Sequence, residues 1–310
     1  MIPNVEGYLY LFVWIEVFCN FDLKISRLIQ NIRAFLSLIR WLNLLIIVFT
    51  QYMARIFLVG PPAEWKSYIL DPYQAAISLA TLLIASAGYI INDYFDVKID
   101  LINKPESVII GRKITRRAAI LTHQTLNGMG IFIGLFLGWK VLIINILAVS
   151  LLWYYASFYK KKAFIGNFLV AGLTGASLIV ISVFYKQNEL LINIYAIFAF
   201  SISLIREIIK DIEDMKGDEA HGCKTLPILW GVRKTKRLLY LIIVAFVCIV
   251  FLMGAYLHNP RLMMIFVFPG SLIVYLFFAL VRADRKSHFA DLSKLCKWIM
   301  IIGIVSMVAV

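Results

Sequence analysis

Apolar runs of about 20 residues recur along the chain, the length that crosses the hydrocarbon core of a bilayer. Hydropathy places them at roughly 39–59, 73–91, 119–138, 140–158, 166–185, 190–208, 238–257, 261–282 and 295–310. The pattern predicts an all-α integral membrane protein, nine transmembrane helices bundled around a central cavity. Residues 1–38 are aromatic and then basic, with Lys24, Arg27, Arg33 and Arg40 at the junction. They predict an interfacial amphipathic lead-in to a membrane domain over 39–310; a tenth membrane helix is the alternative. No basic region precedes the first apolar stretch, so a cleaved signal peptide is not expected.

Two of the apolar runs end abruptly in carboxylates. The first reads ASAGYIINDYFDVKID, with Asn92, Asp96 and Asp100 four residues apart and therefore on one face of a continuing helix. The second reads REIIKDIEDMKGDE, with Glu207, Asp211, Asp214 and Asp218 again on one stripe. Of 18 acidic residues, 10 fall within 93–106 or 207–219, so a chain that avoids carboxylates elsewhere concentrates them twice.

Composition agrees with a membrane protein: 62% of 310 residues are hydrophobic, 16% charged, and mean hydropathy is +0.85. The net charge of +13 raises nucleic acid as a partner, but its placement argues against that. With nine spans, 26 of the 31 Lys and Arg residues fall on the side that precedes helix one. By the positive-inside rule that side is cytoplasmic, and both acidic stretches lie on it, at helix ends or in loops of the inner cell membrane. The two stretches close the second helix of each half, a pattern that suggests an internal duplication with the site between the halves. Cys19, Cys223, Cys248 and Cys296 have no metal-ligand or disulfide spacing.

Carboxylates at a membrane boundary are costly unless solvated, paired or bound to cations. A solvated loop suits Glu106 and Glu219, but not stripes aimed at one spot. Mg²⁺ takes one or two carboxylates and completes its shell with substrate phosphates. Two facing stripes would hold Mg²⁺ at Asp96, Asp100, Asp211, Asp214 and Asp218, clamping a diphosphate. The basic neighbours Lys104, Arg112, Lys113, Lys160, Lys161, Lys162, Arg206 and Lys210 either contact phosphate or simply follow the positive-inside rule. A diphosphate at the mouth of an apolar bundle points to a prenyl diphosphate, whose leaving group Mg²⁺ neutralises and whose allylic cation the cavity shields from water.

At these residues the chain resembles the UbiA-type intramembrane prenyltransferases. Asn92, Asp93, Asp96 and Asp100 match the N-D-x-x-D-x-x-x-D motif, and DIEDMKGDEAHGCKTLPILWG (211–231) resembles the second aspartate motif. YASFYKKKAFIGNFLVAGLTG (155–175) resembles the loop between helices four and five. The resemblance implies Mg²⁺ at Asn92, Asp96, Asp100, Asp211, Asp214 and Asp218, with Asp96, Asp100, Asp211 and Asp218 essential for catalysis. It implies Tyr155 and Lys160 at the allylic diphosphate, and Asn43 either in the pocket or in an interhelical hydrogen bond. The family's arginine after Asn103-Lys104-Pro105 is missing from Glu106–Ile110, which leaves Arg112 or Lys113 as substitutes. KDIEDMKGD most resembles the branch that alkylates geranylgeranylglyceryl phosphate. The alternatives are a lipophilic aromatic quinone precursor, haem or chlorophyllide as acceptor or, outside the family, a cation transporter or a lipid-binding protein.

Overall fold

The computed structural model describes residues 29–256 and 260–309. Residues 1–28, most of the expected lead-in, lie outside the described residues; 29–38 are helical. The following helices are α1 Trp41–Met53, α2 Pro72–Asn103, α3 Arg116–Leu137, α4 Trp139–Ser157 and α5 Ile165–Tyr185. They continue as α6 Glu189–Ala220, α7 Leu226–Tyr256, α8 Pro260–Arg282 and α9 Lys286–Val305. No strand occurs among the described residues, only two isolated bridges. Among the described residues seven helices, α1 (with the π-helical turn Ala54–Val59) to α7, are long and apolar enough to cross a membrane. In α8 the stretch Pro269–Arg282 is a shorter apolar helix, and Pro269 itself interrupts the hydrogen-bond ladder.

Two helices form the interior. In α2 and α6, 61% and 67% of the apolar window is buried, against 17–39% for the other five. At 1.5 Å per residue their 32 residues reach about 48 Å, well beyond a hydrocarbon core of roughly 30 Å. Hydropathy ends both spans where the carboxylates begin, but the helices run on: Asp96 and Asp100 lie inside α2, and Asp211, Asp214 and Asp218 inside α6. α2 packs on α3 and α4, while α6 packs on α5, α7 and α9. The larger core, with Ile181, Tyr195, Ile202, Ile208 and Ile299, surrounds α6.

The opposite end of α2 is anchored at Asp71. Its Oδ1 accepts from the Tyr73 and Gln74 amides (2.9 and 3.4 Å), capping the helix ahead of Pro72. Its Oδ2 accepts from Arg55 Nε (3.2 Å) and the Tyr185 hydroxyl (2.7 Å). The Arg55 guanidinium lies over the Tyr68 and Tyr185 rings, 4.0 and 4.3 Å from their centroids. One carboxylate thus ties together α2, α5 and the end of α1.

Candidate active site

The acidic ends of α2 and α6 lie side by side. The Asn103 amide bridges them: its Nδ2 donates to Asp214 O and its Oδ1 accepts from Gly217 N, both at 3.0 Å. Gly217 permits this approach, because a Cβ there would collide with the Asn103 side chain. Lys104 adds an ionic tie, its Nζ 3.2 Å from both Glu213 Oε1 and Asp214 Oδ1. Burial opposes the Lys104 charge, but Asp214 and Glu213 more than offset this and raise its pKa above the ordinary lysine value.

Each central carboxylate has a neighbour from another element or turn. Asp96 is buried, accepts from Asn92 Nδ2 at 2.7 Å, and forms an ion pair with Lys160. Lys160 stands on the 3₁₀ turn Tyr159–Lys161 after α4, which Lys224 N fastens to the start of α7 through Lys161 O (2.8 Å). Burial disfavours the Lys160 ammonium; Asp96, Tyr155 and Asp218 outweigh it and hold the pKa well above the usual value. Asp211 accepts from Asn167 Nδ2 at 2.9 Å, in the first turn of α5. Gly166 beside it lets α5 start against Tyr159 and Lys160. Asp218 is buried within electrostatic range of Lys160, Asp214 and Asp96, and Asp100 senses Asp96 and Lys160.

A cavity of about 240 Å³ opens beside these helix ends. Its polar end carries Arg40, Asn43, Asn92, Tyr155, Arg206 and Lys210. Deeper in, the walls are Ile46, Ile84, Leu152, Leu173 and Val180. Arg40 pairs with Asp93 (2.8 Å) and covers the Tyr89 ring, while Asn43 Nδ2 donates to the Tyr89 hydroxyl (3.4 Å). The arrangement suits an amphiphile with an anionic head at the carboxylates and an apolar tail in the bundle.

Of the residues singled out in the sequence, Asn43, Asn92, Tyr155, Arg206 and Lys210 line the cavity. Asp96, Asp100, Asp211, Asp214, Asp218, Lys104 and Lys160 form the charged network beside it. Arg112 stands apart: it is exposed and donates to Pro105 O at 2.9 Å within its own turn. A phosphate contact by Arg112 requires that bond to open. Sequence reasoning passed over Asn103, Asn167 and Lys297; Asn167 follows the Gly166 whose close packing marks the site, while the other two carry no local signal.

The fit to Mg²⁺ rests on donor chemistry. The donors are hard oxygens, and Asp214 Oδ1 is buried with no hydrogen-bond donor aimed at it, although Lys104 is 3.2 Å away. No three His, Cys, Asp or Glu side chains converge as a ready ligand set among the described residues. Asp96 and Asp214 are instead held by Lys160 and Lys104, which a metal would displace or share.

The model of the UbiA prenyltransferase family matches residues 41–299. The chain belongs to the UbiA prenyltransferase family. It is therefore an enzyme, a prenyltransferase, and with seven apolar helices of spanning length it is a multi-pass integral membrane protein. Among its relatives, the digeranylgeranylglyceryl phosphate synthase of Thermococcus sibiricus is 33% identical over 209 residues, 67% of this chain and 72% of that one. A solved structure concerned with digeranylgeranylglyceryl phosphate synthase in membranes superposes with a TM-score of 0.71 at 26% identity, covering 90% of this chain and 98% of the other. A UbiA homologue from Archaeoglobus fulgidus, bound to GPP and Mg²⁺, shares the fold at 12% identity (TM-score 0.61), covering 89% of this chain and 99% of that one. UbiA membership as an enzyme sets aside the transporter and lipid-binding readings.

Proposed function

We propose that this UbiA-family enzyme transfers a polyprenyl group from a prenyl diphosphate to geranylgeranylglyceryl phosphate in a Mg²⁺-dependent reaction. The observation that carries the reading is the pairing of two acidic helix ends, bridged by Asn103, beside a cavity with polar mouth and apolar depth. Relatives named digeranylgeranylglyceryl phosphate synthase support the acceptor. A homologue that binds GPP and Mg²⁺ in the same fold supports the donor and the metal.

In this reading Asn92, Asp96, Asp100, Asp211, Asp214 and Asp218 would hold Mg²⁺, which when bound neutralises the leaving diphosphate. Lys160 and Tyr155 orient the diphosphate at the cavity edge, with Lys104 adding positive charge around it, while Lys210 and Arg206 offer positive charge to a substrate phosphate from the cavity wall. Arg112 reaches the diphosphate once its Pro105 contact opens. The apolar walls hold the prenyl tail extended and exclude water while the C1–O bond to diphosphate breaks. The acceptor hydroxyl oxygen bonds to C1, and diphosphate and the hydroxyl proton leave. Residues 39–310 form the catalytic unit, residues 1–38 its interfacial lead-in, and α8 and α9 complete nine spans. The basic-residue bias puts the acidic ends at the cytoplasmic face of the cell membrane.

An acceptor panel tests the proposal. Purified protein with labelled geranylgeranyl diphosphate is offered geranylgeranylglyceryl phosphate, an aromatic quinone precursor, and haem or chlorophyllide. Labelled product is expected from the glyceryl phosphate alone; preferential labelling of an aromatic or porphyrin acceptor would overturn the assignment.

A further inference from the structure

A second charged group, centred on Lys297, lines the cavity. Lys297 of α9 reaches inward, and its Nζ lies 3.2 Å from Asn43 Oδ1 of α1. It stands within electrostatic range of Arg206, Arg40 and Lys210, all repelling it, with Glu207 the attractive carboxylate. All four line the same cavity as Lys297 itself does. Arg40 is committed to Asp93, and Arg206 Nη1 to Glu207 Oε1 at 2.6 Å, yet the buried Arg206 Nε has no partner. Neither Lys297 nor Lys210 forms an ion pair within the described residues.

Cations held in a membrane bundle without counter-ions are costly, and such residues face a polar ligand or each other. Lys297 itself faces three cations, Arg206, Arg40 and Lys210, and one carboxylate, Glu207, while Lys210 also lies within range of Asp211 and Asp214 on its own helix. The local surplus of positive charge around Lys297 suits an anion such as a phosphate monoester. Arg206 precedes Asp211 by five residues on α6, about 7.5 Å along the axis, so it sits more than a turn deeper than Asp211, with Lys210 between them.

We propose that Lys297, with Arg206 and Lys210, forms a second anion subsite that binds the phosphate of the acceptor lipid, separate from the carboxylates that serve the diphosphate. The inference rests on the glyceryl phosphate acceptor proposed above. It makes Lys297 the residue that distinguishes a phosphorylated acceptor from an uncharged one. An Asn43 hydrogen bond positions the ammonium, and Arg206 Nε supplies a further donor. A phosphate so held leaves the glycerol hydroxyl toward the aspartate end, where the prenyl C1 is presented.

The test titrates the purified full chain in detergent with an alkylglyceryl phosphate and with the same alkylglycerol lacking phosphate. Wild type is expected to bind the phosphate form at least about tenfold more tightly. Lys297→Met, similar in length and uncharged, is expected to fold with an unchanged or raised Tm and to lose most of that preference. Lys297→Arg is expected to retain it. In turnover, Lys297→Met is expected to raise the acceptor KM about tenfold and move the prenyl diphosphate KM by less than about twofold. A phosphate preference that survives Lys297→Met, or a KM increase confined to the prenyl diphosphate, overturns this subsite alone. Transfer to an aromatic acceptor and to no glyceryl phosphate overturns the function on which it rests.

Discussion

At the residue scale, Asp71 shows how one carboxylate can organise a bundle end. Burial pushes its pKa upward, but donors from Tyr185, the Tyr73 amide, Arg55 and the Gln74 amide together bring it below the usual aspartate value. A depressed folded pKa contributes stability that is present above the ordinary value near 4 and is lost as pH falls through the folded one. The wild-type Tm in detergent is therefore expected to drop below about pH 4. Asp71→Asn, which leaves Arg55 stacked between Tyr68 and Tyr185 without its counter-ion, is expected to cost on the order of 3 kcal/mol at pH 7. Its Tm should respond less to acid over the same window. Parallel Tm–pH curves for the two proteins would remove Asp71 from this role. The hydropathy span at 73–91 placed the helix start near Pro72 but did not single out Asp71 as its cap. The partners Arg55 and Tyr185 were not legible, since they arrive from other helices.

At the scale of elements, α2 and α6 are ruled by one register. Asn103 and Gly217 fix it through two hydrogen bonds between helix ends 114 residues apart in sequence. Asn103→Ala removes both bonds and leaves the Gly217 amide without its partner, a loss of about 1–3 kcal/mol. The expected result is a lower Tm in detergent together with at least about tenfold lower kcat, because the aspartate stripes lose their alignment. A destabilised variant that still turns over at the wild-type rate would show that this register does not set the site. The stripes themselves were readable from the i, i+4 spacing of Asn92, Asp96 and Asp100. That spacing already implied a continuing helix, although hydropathy, which registers polarity, ends the spans at 91 and 208. Asn103 and Lys297 were unreadable for another reason: one looks like a polar loop residue, and the other disappears into the positive-inside count. Both gain meaning only when helices distant in sequence are set side by side.

At the scale of the whole molecule, charge and apolar volume are separated along one cavity. The acidic helix ends and Lys160 form its edge, and Lys297 and Arg206 line it together with aliphatic walls. A UbiA enzyme needs that order, because the reacting carbon lies between a polyanion and a hydrocarbon tail. In the proposed reaction the two aspartate stripes serve metal-dependent cleavage of a prenyl diphosphate. The most direct measurement is diphosphate release from geranylgeranyl diphosphate by wild type and Asp96→Ala, with Mg²⁺ and with chelator, in the presence of the glyceryl phosphate acceptor. Release is predicted for wild type with Mg²⁺ only, and a loss of at least about a hundredfold for an Asp96→Ala protein that remains folded. Chelator-resistant release, or a folded Asp96→Ala enzyme near the wild-type rate, would contradict it.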